Sequence, residues 1–175
     1  QEQFPQLFNT SPGGKTIILA NPPWGGDLTS WNQFILKRYG GDCRHPLDSF
    51  KLFLRLSMEL LKEGERLGFL VPSTLLGQLG YQDIREKLLQ EGNLLTVVDL
   101  GESVFWGVNL PCCLLVWQKG RVEQPVRFLN LVPVVEETER QRILVDPKTT
   151  WNSVSQELYL NIPGLNIYPS TNQGW

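Results

Sequence analysis

IILANPPWGG, residues 17–26, joins a short apolar run to an amide, two prolines and an indole. Ile17 to Ala20 is continuously apolar and bounded by polar residues. Short runs of this kind form strands buried on both faces of a parallel sheet. In open parallel sheets, ligands bind beyond the carboxyl ends of the strands. The position of Asn21–Trp24 therefore marks it as a candidate site.

The rest of the chain spells the sheet. PLDSFKLFLRLSMELLKEG places Phe50, Phe53, Leu54, Met58 and Leu61 at helical spacing, with Asp48 as a candidate N-cap and Gly64 near the end. RLGFLV is a second strand, stopped by Pro72 and Ser73. YQDIREKLLQEG is a second helix, with Ile84 and Leu88 inward and Gly92 read as its cap. LLTVVDL, CCLLVWQ and VRFLNLV are three further strands, and GESVFWGVNLP is a loop. Alternating strands and helices predict an α/β unit with parallel pairing. The last strands follow one another without an intervening helix, so at least one pairing is expected to be antiparallel.

Two stretches read differently. Residues 25–46 are expected to be a long loop carrying Trp31, Phe34, Lys37, Arg38, Tyr39 and Arg44. Aromatics mixed with cations suit nucleic acid, or simply a loop packing its own aromatics. After Val132 the chain turns polar and rich in Asn, Pro, Ser and Thr. Two domains are therefore expected: residues 1–133, and 134–175 as a linker, a lead-in to another domain, or an arm packing on the core.

Asn21–Trp24 has a specific chemistry. The Asn21 amide oxygen accepts hydrogen bonds. Pro23 fixes its own φ and extends Pro22, and neither proline carries an N–H. An amide oxygen beside a rigid carbonyl suits a substrate –NH₂ group, and Trp24 offers a flat face to a planar group. An exocyclic amino group on a base is a weak nucleophile because its lone pair is delocalised. Acceptors that hold its hydrogens out of plane localise that lone pair, so no separate base is needed before attack. Asn-Pro-Pro-aromatic arises by chance in roughly one chain of this length in several hundred.

Composition narrows the class further. With 175 residues and 41% hydrophobic content, the chain can build a sizeable core. A net charge of −2 counts against a self-sufficient nucleic-acid binder, but not against an enzyme domain with a DNA-gripping partner domain. No run approaches the length of a membrane helix, and no signal peptide is evident. Cys43, Cys112 and Cys113 give neither a disulfide framework nor a metal spacing, which suggests packing cysteines and a reducing, cytoplasmic setting. His45, before Pro46, reads as a loop residue. GGKT at 13–16 lacks the earlier glycine of a phosphate loop and precedes a strand, not a helix.

Over roughly residues 17–120 the chain resembles adenine-specific DNA methyltransferases of the type II, type IIG-like restriction-modification branch. NPPW is similar to their catalytic Asn-Pro-Pro-aromatic motif, DSFKLFLRLSMELLKEGERLGFLVPSTLL to their helix–strand block, IREKLLQEG to the next helix, and VVDLGESVFWGV to a later motif. The resemblance implies the carboxyl-side half of a Rossmann-like class I methyltransferase fold, mostly parallel, with an antiparallel strand at the end. It implies S-adenosyl-L-methionine as methyl donor and double-stranded DNA with a flipped adenine as substrate. Asn21 and the Pro22 carbonyl, within Asn21-Pro22-Pro23-Trp24, would bind the amino group. Trp24 and Phe105 would hold the base, with Trp106 beside Phe105 as the competing aromatic. Phe53 would lie against the adenosyl ring, although its helical spacing alone reads as core. No metal is implied.

The family's glycine-rich cofactor loop does not precede NPPW in these residues. The chain is therefore expected to be a catalytic-motif half, inactive alone, whose partners are the amino-terminal half of the domain and a target recognition domain. Ile17–Leu19 is then expected at an exposed sheet edge. A methyltransferase acting on a protein glutamine amide, and a non-catalytic DNA- or partner-binding fragment, are the alternative functions.

Overall fold

The computed structural model describes residues 14–40, 47–105, 107 and 109–168. Cys43, Arg44, His45, Trp106 and the first thirteen residues, on which several expectations fall, lie outside them.

Six strands form one sheet in the order β1-β2-β4-β3-β5-β6. They are β1 (Ile17–Ala20), β2 (Arg66–Pro72), β3 (Gly92–Gly101), β4 (Cys112–Lys119), β5 (Val126–Asn130) and β6 (Asn152–Val154). β1 pairs parallel with β2, and β3 with β5. β4 runs antiparallel between β2 and β3, and β6 runs antiparallel to β5 at the far edge. Four strands thus point one way and two the other, as the α/β reading expects. β4 connects to β3 without a helix, so it must reverse. β1 has one neighbour among the described residues. Ile17 and Leu19 are 63% and 78% exposed, which makes β1 the open edge expected of it.

The strand period of two divides the sheet into two faces. Leu67, Phe69, Val71, Cys113, Leu115 and Trp117 pack on one face beneath helices α2 (Ser49–Leu60) and α3 (Gln82–Glu91). Val98, Leu100, Cys112, Leu129 and Leu131 form a smaller cluster on the other. Cys112 and Cys113 are therefore packing residues on opposite faces. Burial, with a push from Asp99, raises the Cys112 thiol to about 11 and the Cys113 thiol well above its ordinary value.

Two local readings need correction. The expected loop after Trp24 contains a helix, α1 (Asn32–Tyr39). Ile35 is its one buried residue among the exposed Trp31, Phe34 and Leu36, so it shows no apolar periodicity to read. In α2, Phe50, Leu54, Met58 and Leu61 are buried, but Phe53 is 47% exposed. Phe53, Leu56 and Leu60 form a second apolar stripe on the helix flank, which periodicity cannot separate from the first. Gly92 is the C-cap of α3, as expected, but in extended backbone, and it is also the first residue of β3. A Cβ there would lie 2.2 Å from the Gln118 carbonyl and 2.3 Å from the Trp117 ring, so close packing requires the glycine.

Residues beyond Val132 pack on the core. Helix α4 (Glu137–Val145) sets Ile143 and Leu144 against the smaller cluster. After β6, helix α5 (Gln156–Asn161) buries Tyr159, and Ile167 follows it into the larger core. Arg85, 0% exposed, joins this segment to the β2–α3 connection. Its guanidinium donates to the carbonyls of Leu75, Gln78 and Gly164.

Candidate active site

β1 delivers Asn21 to the carboxyl edge of the sheet, and the chain must then turn sharply. Gly25 has φ +66°, a left-handed conformation natural to glycine. The turn is fastened to the start of α2. Ser49 Oγ donates to the Pro23 carbonyl at 2.6 Å and accepts from the Gly26 amide at 3.1 Å. Asp48 Oδ1 accepts from the Gly25 amide at 3.1 Å and caps the helix by accepting from the Phe50 amide at 3.2 Å. Asp48 was legible as a cap, but the role of Ser49 was not. The signal was only a polar Asp-Ser pair opening an apolar helix.

The strand ends β2 and β3 brace a second loop. Ser73, from the Val-Pro-Ser stop, donates to the Asp99 carboxylate at 2.8 Å. The same carboxylate oxygen accepts from the Gly101 amide at 3.2 Å. Arg140 Nη1 donates to the Glu102 carbonyl at 2.9 Å. Ser103, at φ 60°, takes a left-handed conformation uncommon for a residue with a Cβ. Beside this loop opens a cleft of about 760 Å³, whose walls include Ser73, Asp99, Ser103, Arg140 and Tyr168. Burial is the main cause that lifts the Tyr168 hydroxyl to about 12.

The two braced loops bring Trp24 and Phe105 together, with ring centroids 6.0 Å apart and planes at 67°. Phe105 is 36% exposed. Trp24 packs on both apolar clusters, which fixes its position. Its indole N–H is buried with no acceptor among the described residues. Such a group carries a desolvation penalty of about 1–3 kcal/mol and calls for an explanation. Asn21 and Pro23 are exposed, and Pro22 is buried. With the Pro23 carbonyl taken by Ser49, neither the Asn21 side chain nor the Pro22 carbonyl hydrogen-bonds to another of the described residues. Phe53 presents an exposed ring on α2. Among the described residues there is no cluster of side chains suited to a metal, and no helix is long and apolar enough to cross a membrane.

This sheet order, with a reversed strand inside it, is that of part of a Rossmann-like class I methyltransferase fold. Residues 1–105 match the Eco57I restriction-modification methylase family, and the chain belongs to that family. It is 27% identical over 158 residues to a Methanocaldococcus jannaschii protein assigned as a type II restriction enzyme and methyltransferase, which covers 90% of this chain and 13% of the relative. It is 33% identical over 113 residues to the type II methyltransferase M.TthHB8I of Thermus thermophilus, covering 59% of this chain and 26% of the relative. The type I restriction-modification methyltransferase subunit of Streptococcus thermophilus superposes with a TM-score of 0.65 at 21% identity, over 93% of this chain and 40% of the subunit. The chain thus spans well under half the length of each.

Proposed function

We propose that this chain carries the catalytic half of an S-adenosyl-L-methionine-dependent methyltransferase that modifies the N6 amino group of adenine in double-stranded DNA, within a restriction-modification system. The observation that carries the reading is the Trp24–Phe105 pair, held 6.0 Å apart beside Asn21 at the ligand edge of the sheet.

The Asn21 amide oxygen and the Pro22 carbonyl accept the two amino hydrogens of the base. Ser49 occupies the Pro23 carbonyl, which leaves the neighbouring carbonyl for substrate. Trp24 and Phe105 hold the extruded base, an aromatic–aromatic contact that offsets part of the few kcal/mol needed to leave the duplex. The exposed ring of Phe53 fits contact with the adenosyl group. S-adenosyl-L-methionine, when bound, supplies an electrophilic methyl group. The rest of its binding surface and the target recognition domain lie outside these residues. Residues 1–133 carry the catalytic motifs, residues 134–175, whose described part packs on the same core, lead on toward target recognition, and residues 1–175 in isolation do not turn over.

The complete gene product, incubated with methyl-labelled S-adenosyl-L-methionine, tests this. Label is expected in duplex DNA containing adenine. Label found only in a glutamine-containing peptide assigns the chain to protein methylation, and label in neither substrate refutes both.

A further inference from the structure

We infer that Ser49, at the first turn of α2, is the positioning residue for the catalytic tetrapeptide; the inference rests on the function proposed above. Among the described residues its hydroxyl is the one side-chain group that holds the turn on both sides of Trp24. It donates to the carbonyl before the indole residue and accepts from the amide two residues after it, at 2.6 and 3.1 Å. Ser49 is 5% exposed, so water does not readily replace it. Asp48 reinforces the clamp. It holds the Gly25 amide, and its other oxygen accepts from the Tyr81 hydroxyl at 3.4 Å. The clamp touches neither of the proposed acceptors for the amino group. It acts on them through Pro23, whose engaged carbonyl sets the orientation of the rigid Pro22–Pro23 pair.

A methyl transfer of this kind depends on the angle at which the amino nitrogen meets the donor. A misplacement of about 1 Å by a group away from the chemistry costs on the order of 100-fold in rate. A residue acting in this way affects turnover, not binding.

The test uses the complete gene product and DNA as substrate. Ser49→Ala is expected to lower kcat by about 10- to 100-fold. Dissociation constants for DNA and for S-adenosyl-L-methionine are expected to stay within about twofold, and Ser49→Thr, which keeps the hydroxyl, restores most of the rate. Gly26→Ala probes the same clamp from the other side, because its Cβ would lie 3.2 Å from Ser49 Oγ. It is expected to lower kcat by a smaller factor with binding again unchanged, and it decides the matter if Ser49→Ala does not fold. An active protein whose turnover is unchanged by the folded substitutions overturns the positioning role alone. So does a loss that falls equally on binding, or one that Ser49→Thr fails to rescue. A wild-type protein that transfers no methyl group to DNA overturns the function on which the inference rests.

Discussion

Arg85→Met removes a buried guanidinium while keeping most of its apolar stem. Three carbonyls lose their donor. Leu75 and Gln78 each accept from Nη1 at 2.8 Å, and Gly164 accepts from Nη2 at 2.7 Å and Nε at 3.2 Å. At about 1–1.5 kcal/mol for each carbonyl left without its partner, the loss is roughly 3–5 kcal/mol. Part returns, because the substitution also relieves the desolvation of the charge, which holds the Arg85 pKa below its ordinary value. A net destabilisation of about 2–4 kcal/mol is expected. Urea denaturation followed by circular dichroism measures it. Hydrogen exchange localises it: the Ile167 amide, which donates to the Leu76 carbonyl at 2.8 Å, should lose protection before the strands do. A change below about 1 kcal/mol, or uniform loss of protection across the chain, would refute the view that Arg85 fastens the carboxyl-terminal segment to the core.

Gly92→Ala should destabilise the chain by about 1–3 kcal/mol, seen as a lower urea midpoint, because its Cβ would meet the Gln118 backbone and the Trp117 ring. Leu19→Lys, on an exposed edge, should change stability by less than about 0.5 kcal/mol and reduce aggregation by light scattering; a large loss of stability would mean that β1 is covered. Glu65 is desolvated, which raises its pKa, but the Lys62 and Thr16 amides donate to it and hold it below the ordinary 4.5. A depressed carboxylate stabilises the fold above its unfolded pKa, and that contribution disappears as pH falls through the folded value. Wild type should therefore lose its advantage over Glu65→Gln below about pH 4.5 in denaturation midpoints, and a pH-independent difference would contradict this.

The sequence showed most where local chemistry and tertiary role agree. IILA is apolar and short, and it is a strand, although Ile17 and Leu19 are exposed and not buried as a continuously apolar run suggests. Asp48 precedes an amphipathic run, and it caps α2. NPPW reads as a rigid turn at a strand end, and it follows β1 directly. It showed least where a residue's role depends on distant neighbours. Phe53 lies three residues from Phe50, at helical spacing, but only the sheet below decides which stripe is buried. Ile35 alone anchors α1, so that helix left no period. Ser49 looks like any first-turn serine until Pro23 and Gly26 fold against it. Arg85 gives no sequence signal of its buried role, because its partner Gly164 lies 79 positions later.

The most direct test of the central claim is nucleoside mass spectrometry on DNA from cells expressing the complete gene product, wild type beside Asn21→Ala. N6-methyladenine is expected with the wild type and none with a folded Asn21→Ala protein. Methylated cytosine in its place, or N6-methyladenine undiminished by Asn21→Ala, would contradict it.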